Sequence, residues 1–324
     1  MKEGLYYPDG SYSTKDEVRR KVLVEELGKR DSSLRHLTID GFQRNFDDWT
    51  EIMIRRQKEV TELLTIPESV EVVIDSKHPI LVWVVADIHS GGDSDYVRFS
   101  QDLKAVKEVG GYSIPVGDLT NSYFWSPAMN DIIRGDEQTL YAQSAFAEMA
   151  KGGKMIAAFG GDHDMWAKDK MGSHTLYQDL WKKYKAHYLE GVSYITIGIN
   201  NGENVVKYGL VGSHRHKGFS VYNDAHASLR QWRDEGMGSV ISFTAHNHVK
   251  ASLTQVHKLH GGQEVRFDSL ALGTYKTTDR YSRKMGWPRK GEESMGGFGI
   301  ILHPGKEKRE ILWDVREAAE RMAK

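Results

Sequence analysis

The sequence predicts a mixed α/β sandwich preceded by a helical N-terminal extension. Two observations carry this expectation. From about residue 68, apolar β-branched runs alternate with amphipathic segments, as in βαβ units, and then give way to mostly short strand-like runs. Before them, from about Thr14 to Leu64, the pattern is charged and helical.

In the extension, Lys15 to Leu27 follows Ser13 and Thr14 as candidate caps, and Asn45 to Leu64 is long, charged and amphipathic. Gly28 and Gly41 punctuate this stretch, and Pro67 marks its end, giving a helical extension over 1–67 and a second unit over 68–324. Val70–Ile74 and Ile80–Ala86 read as strands buried on both faces. Helices are then expected at Phe99–Val109, Glu137–Lys151 and Leu176–Tyr184, with strands at Tyr112–Val116 and Lys154–Phe159. Further strands are expected at Tyr194–Ile199, Val205–Val211, Val240–Thr244, Ala251–Val256, Val265–Leu272 and Gly299–Leu302.

Composition narrows the function classes. The chain has 324 residues, a formal net charge of −1 and no cysteine. Bulk charge therefore predicts no polyanion partner, and disulfides, thiolate zinc sites and a cysteine nucleophile are excluded. Residues 1–10 lack the apolar core of a signal peptide, and no apolar stretch approaches the roughly 20 residues of a membrane span. The expectation is a cytoplasmic protein with no membrane association.

Five short clusters follow apolar runs: Asp87-Ile88-His89, Gly117-Asp118-Leu119-Thr120-Asn121, Gly161-Asp162-His163-Asp164, Ser213-His214-Arg215-His216 and Ala245-His246-Asn247-His248. They supply carboxylates and imidazoles, the donor set for a pair of divalent metals. In open α/β folds, sites form beyond the carboxyl ends of strands, and Asp87, Asp118 and Asp162 each stand at such an end. His214 and the pair His246/His248 also follow strands. Asp118 lies centrally in the order and is the natural bridge between two ions about 3.5–4 Å apart, with a hydroxide between them as nucleophile for in-line attack on phosphorus. His163, beside Asp162, would donate a proton to the leaving oxygen or stabilise the charged transition state, with Asp164 orienting its ring.

As a set, these clusters resemble the calcineurin-like metallophosphoesterase superfamily, whose pattern runs Asp-x-His, Gly-Asp-x-x-Asp/Asn, Gly-Asn-His-Asp/Glu, a lone His and Gly-His-x-His. The resemblance covers roughly residues 80 to 250. It implies a four-layer α/β/β/α sandwich of two mixed β-sheets flanked by helices. It also implies one metal held by Asp87, His89, Asp118 and His248 and a second held by Asp118, Asp162, His214 and His246, with Mn²⁺ favoured and Fe, Zn²⁺ or Mg²⁺ as alternatives. Asp162 departs from the family's Asn but keeps an oxygen donor, and Ala245 replaces a Gly. The fourth cluster offers two histidines: His214 is favoured as ligand, while His216 is the alternative ligand or a substrate contact. Asn121 is not a ligand but fixes the backbone or a neighbouring histidine. Ser122-Tyr123 stands where the protein Ser/Thr phosphatases carry Arg-Gly, which argues against that branch.

Two further segments bear on substrate. Between Tyr275 and Lys290 six basic residues face one acidic residue, with Tyr275, Tyr281 and Trp287 interleaved. Basic side chains contact phosphates and aromatics stack on bases, so Lys276, Arg280, Tyr281 and Lys284 are candidate substrate contacts. Leu34 to Ile54 is a candidate helix-turn-helix; the competing reading is a helical extension that packs on the catalytic domain or mediates a homodimer or partner contact. The leading expectation is a two-metal phosphodiesterase acting on nucleic acid, as an exonuclease or endonuclease related to repair nucleases. The alternatives are a small-molecule phosphodiesterase or phosphomonoesterase, and a silent protein-binding scaffold.

Overall fold

In the computed structural model, two compact units are defined, Met1–Thr65 and Ile66–Lys324. The structure describes residues 4–6, 12–14, 46–63, 68–122, 135–165, 183–184, 186–218, 220, 222–258, 261–278, 283–284, 286 and 291–324. The expected helices at 15–27 and 176–184, most of the candidate helix-turn-helix, and Arg280 and Tyr281 lie wholly or largely outside these residues.

The first unit contains an antiparallel pair, β1 (Gly4–Tyr6) and β2 (Tyr12–Thr14), and helix α1 (Phe46–Leu63). The sequence reading did not foresee this strand pair; it took Ser13 and Thr14 as candidate caps of a helix at 15–27, which lies outside the described residues. Aromatic and β-branched side chains favour a strand there, and Pro8-Asp9-Gly10 between the strands carries turn chemistry.

The second unit is built on two mixed sheets. The first has the order β11-β12-β10-β9-β8-β3, where β3 is Ser69–Asp75, β8 Ser193–Asn200, β9 Val205–Ser213, β10 Ile241–Thr244, β11 Ala251–Lys258 and β12 Glu264–Ala271. The second has the order β14-β13-β4-β5, with β4 at Ile80–Val85, β5 at Tyr112–Pro115, β13 at Phe298–Leu302 and β14 at Arg309–Leu312. Parallel bridges from Ser113 to Met155 and from Val116 to Phe159 continue it to the pair β6 (Ala157–Phe159) and β7 (His187–Leu189).

Strand β4 shows why this stacks into layers. All six of its residues are buried. Ile80, Val82 and Val84 face the core between the sheets, with Ile195, Ile197, Tyr208, Phe243 and Phe298. Leu81, Trp83 and Val85 face the opposite way, against helices α2 (Tyr96–Glu108), α3 (Gly135–Lys151) and α5 (Val315–Met322), through Phe99, Phe146 and Ala318. The period of two splits one apolar run between two cores, so neither face tolerates a polar residue. On the outer face of the first sheet, helix α4 (His226–Asp234) lays Trp232 flat on Phe267, ring centroids 3.6 Å apart. The order of layers is therefore α/β/β/α. Among the described residues, no helix is long and apolar enough to cross a membrane.

Helices α4 and α5 and strands β7 and β14 were not foreseen. Helix α4 follows Ala225, which offers no side-chain cap, and it is mostly polar. Helix α5 does carry a cap signal, since Asp314 accepts the Arg316 N–H at 2.8 Å. Strand β14, Arg-Glu-Ile-Leu, is a short charged sheet edge that protects against further strand pairing, and it has little alternation to read.

Candidate metal centre

The site lies beyond the carboxyl ends of β4, β5, β6, β9 and β10, where parallel neighbours bring distant residues side by side. The loops after β4 and β5 stay paired beyond the strands: Asp87 N–H donates to Gly117 O at 3.1 Å and His89 N–H to Asp118 O at 3.0 Å. The loop after β9 meets that after β10, with Ala245 N–H on His214 O at 3.0 Å. The two sheets are tied at the site itself. Asp87 Oδ2 accepts the His246 N–H at 3.0 Å, and its carbonyl accepts from Tyr275 N–H at 3.0 Å and Thr274 Oγ1 at 2.8 Å.

Backbone strain concentrates here. Among the described residues, the non-glycine positions with positive φ are Asp87 (52°), His89 (48°), Asp118 (50°), Ser122 (36°), His246 (72°) and His248 (54°). Five of the six are residues singled out as candidate ligands. A left-handed non-glycine residue costs on the order of 1–3 kcal/mol and persists only where surrounding contacts hold it. The hydrogen bonds just described hold Asp87, His89, Asp118 and His246. Glycine is needed where the loops approach most closely. A Cβ on Gly161 would fall 2.1 Å from Asp118 N, and one on Gly117 would fall 2.6 Å from Gly161 Cα and 2.6 Å from His214 Nδ1.

Three groups of donor atoms converge: Asp87/His89/His248, His89/Asp118/His163 and Asp118/His214/His246. Asp118 belongs to two of them. Asp87, His89, Asp118 and His214 are buried, whereas the side chains of His248, His246 and Asp162 are 21%, 32% and 32% exposed, so the half carrying His246 and Asp162 is the more open of the two. Asp162 lies at the open side, Oδ2 3.5 Å from His246 Nδ1 and 3.2 Å from Arg215 Nη1.

The donor chemistry fits divalent ions. Nε2 of His89 and Nε2 of His248 stand 3.0 Å apart, a spacing that one Nε2–H tautomer satisfies as a hydrogen bond and that also lets both nitrogens turn to one cation. Asp87 Oδ1 and His214 Nε2 are buried without hydrogen-bond partners, although Asp118 Oδ2 is 3.1 Å from the latter. The ring of His214 donates through Nδ1 to Val116 O at 2.8 Å, which fixes the tautomer and turns Nε2 to the cluster. Burial opposes protonation of His214, but Asp118 and Asp87 outweigh it and push its pKa up to about 10. The pocket thus favours positive charge at Nε2. Burial also raises the pKa of Asp87, but the imidazoles of His248 and His89 reverse this and hold it well below the carboxylate range. His89 is lowered to about 3, by burial and then by Lys276, so it is a neutral imidazole.

The neighbours take different tasks from those read in the sequence. Asp164 was expected to orient the ring of His163. Its buried carboxylate instead accepts N–H groups of Thr120 at 3.2 Å, Gly161 at 3.3 Å and Leu119 at 3.4 Å, and so clamps the turns carrying Asp118 and Asp162. The ring of His163 is held by the carbonyl of Asn121, which can only accept, so Nδ1 carries the proton. His163 also donates its backbone N–H to Asp118 Oδ1 at 2.8 Å. His214 joins the convergent groups; the His216 side chain is turned to Glu235 Oε1 at 3.5 Å. Lys276 Nζ reaches Asn121 Oδ1 at 3.3 Å beside the cluster, whereas Lys284 is exposed. Tyr275 is not available for base stacking: it is fully buried and donates to Asp102 Oδ2 at 2.6 Å. Sequence reasoning left Arg215 without a role, although it sits between two histidines that were singled out.

Two mixed sheets, helices on both outer faces and a carboxylate–imidazole cluster beyond the strand ends make up the four-layer α/β/β/α architecture that the sequence resemblance implies. No family model and no curated protein sequence matches the chain. Among solved structures it is similar to a metallophosphoesterase from Sphaerobacter thermophilus (13% identity, TM-score 0.33, covering 75% of this chain and 99% of that one). It is also similar to the phosphoesterase YfcE from E. coli (12% identity, TM-score 0.35, 72% and 100% covered). A third similar structure is Vps29 from Entamoeba histolytica (13% identity, TM-score 0.29, 72% and 98% covered). Likeness at this level says nothing about activity, which rests on the chain's own residues.

Proposed function

We propose that the chain is a metal-dependent phosphoesterase that hydrolyses phosphodiester bonds in nucleic acid. The observation that carries this reading is the sharing of Asp118 between two groups of donors. One ion would be held by Asp87, His89, Asp118 and His248, the other by Asp118, Asp162, His214 and His246. When bound, such ions, Mn²⁺ in our reading, polarise phosphate oxygens and supply a nucleophile at neutral pH.

The residues around them position and protonate. His163, with Nδ1 committed to Asn121, meets the leaving oxygen through Nε2, and donation there requires a second proton on the ring. Burial disfavours that charge and lowers the pKa, while the Asp118 carboxylate favours it. His163→Ala is expected to keep its metal content and lose about 10²–10⁴-fold in diester turnover. Unchanged turnover would remove His163 from the reaction. Lys276 supplies a cation beside the cluster, which supports binding of a polyanionic strand.

The deciding experiment is a substrate panel with Mn²⁺: labelled single- and double-stranded DNA, cyclic nucleotides, and generic aryl diesters and monoesters. Metal-dependent cleavage of DNA is expected. Turnover of cyclic nucleotides or monoesters alone would make the chain a small-molecule phosphoesterase. Metal binding with no turnover of any of them would leave a protein-binding scaffold.

A further inference from the structure

The two halves of the cluster differ in what competes for their carboxylates. Among the described residues, the ion-pair partners of Asp87 and Asp118 are histidines alone. Asp162 is different. Its Oδ2 is 3.2 Å from Arg215 Nη1 and 3.5 Å from His246 Nδ1, so one oxygen faces both a permanent cation and a candidate metal ligand. The guanidinium is 65% exposed and the carboxylate 32% exposed, and the contact runs through a single nitrogen. A pair of this kind is weak and exchanges readily. A guanidinium keeps its charge at every accessible pH, so its competition with another cation for that oxygen does not depend on its own titration.

We propose that Arg215 is an exchangeable cation for the open half of the site: its guanidinium competes with a divalent ion for Asp162 and sets that ion's affinity below that of the closed half. This rests on the metal-dependent reading above. Competition of this kind lowers apparent affinity by the strength of the pair that must be broken. For an exposed pair that is about two- to fivefold. The closed half, where imidazoles face Asp87, is unaffected by Arg215. The arrangement gives the chain a tight ion and a looser one whose occupancy follows the supply of metal.

The test is calorimetric titration of Mn²⁺ into the full chain after chelation, comparing wild type with Arg215→Ala, Arg215→Lys, Asp162→Asn and the Arg215→Ala/Asp162→Asn double variant. Arg215 is largely exposed, and thermal melts establish that each variant is folded. Two binding steps are expected in wild type. Arg215→Ala should tighten the weaker step about two- to fivefold and leave the tighter step unchanged, with Arg215→Lys lying between. In the Asp162→Asn background the same change should have no effect, because the contested charge is gone. A weaker step that does not tighten in Arg215→Ala, or that tightens equally with Asp162→Asn, overturns the proposal alone. No Mn²⁺ binding by the wild-type chain overturns both the proposal and the functional reading beneath it.

Discussion

Replacing Asp118 by alanine is expected to empty both halves of the site in one step. The carboxylate belongs to two of the three convergent donor groups; His89 also belongs to two, but Asp118 alone joins the His89 group to the His214/His246 group. Metal analysis after dialysis against Mn²⁺ should show loss of both ions, where alanine at Asp87 or His246 should cost mainly one. Turnover of the best substrate in the panel should fall at least about a thousandfold, because activation of water and neutralisation of phosphate charge are lost together. Retention of one tightly held ion would show that the two groups are independent and that Asp118 is not the bridge.

The same substitution has a consequence for the metal-free protein. The pKa of His214 is raised to about 10 from an ordinary value of 6.5, against the effect of burial, chiefly by Asp118. A folded-state pKa raised in this way adds stability that is fully present below 6.5 and is lost as pH rises through about 10. The metal-free wild type should therefore lose stability across that window, and Asp118→Ala should lose less. An NMR titration that follows His214 in both proteins checks the sign directly: removing the carboxylate should lower its pKa.

The second large effect is expected from Gly161→Ala, which adds one methyl group. Its Cβ would lie 2.1 Å from Asp118 N, 2.3 Å from Asp118 Oδ1 and 2.8 Å from Gly117 C. Two of these are backbone atoms that cannot rotate away, and the third belongs to the Asp118 carboxylate. The loops must separate, and Asp118 must move with them. Overpacking of rigid neighbours costs roughly 3 kcal/mol or more, which for a unit of this size lowers Tm by about 10 °C. Metal affinity should fall with it. Gly153→Ala is the control: its φ is 65°, but nothing lies within 4 Å of the added Cβ. It should cost about 1 kcal/mol of backbone strain and leave metal binding intact. Equal melting temperatures for the two variants would show that the loops around Gly161 have room that the structure denies them.

Part of this was readable in one dimension, for identifiable reasons. The run from Ile80 to Val85 is apolar without alternation, which requires burial on both faces, and the structure assigns its two sets of side chains to two separate cores. The ligand candidates were readable because carboxylates and imidazoles recur just after five apolar runs, where strand ends converge and such donors suit a divalent cation. The N-terminal strand pair was missed because a helical pattern downstream outweighed a Pro-Asp-Gly turn. Helix α4 was missed because its apolar residues are few and its entry carries no capping side chain.

The roles of Asp164, Arg215 and Tyr275 could not have come from neighbours in the sequence. Asp164 is adjacent to His163, yet its carboxylate serves Leu119, Thr120 and Gly161. Tyr275 stands in a basic run, yet its hydroxyl is buried against Asp102, 173 positions away. Which residue types occur at strand ends, and with what period, is a local matter, so the chain alone determined the class of fold and the candidate donors. Which oxygen faces which cation depends on loops from both sheets meeting at left-handed turns. That geometry is fixed by long-range packing, and only the tertiary structure decided that Asp164 clamps the turns of Asp118 and Asp162, that Asn121 holds His163, and that Asp162 answers to Arg215.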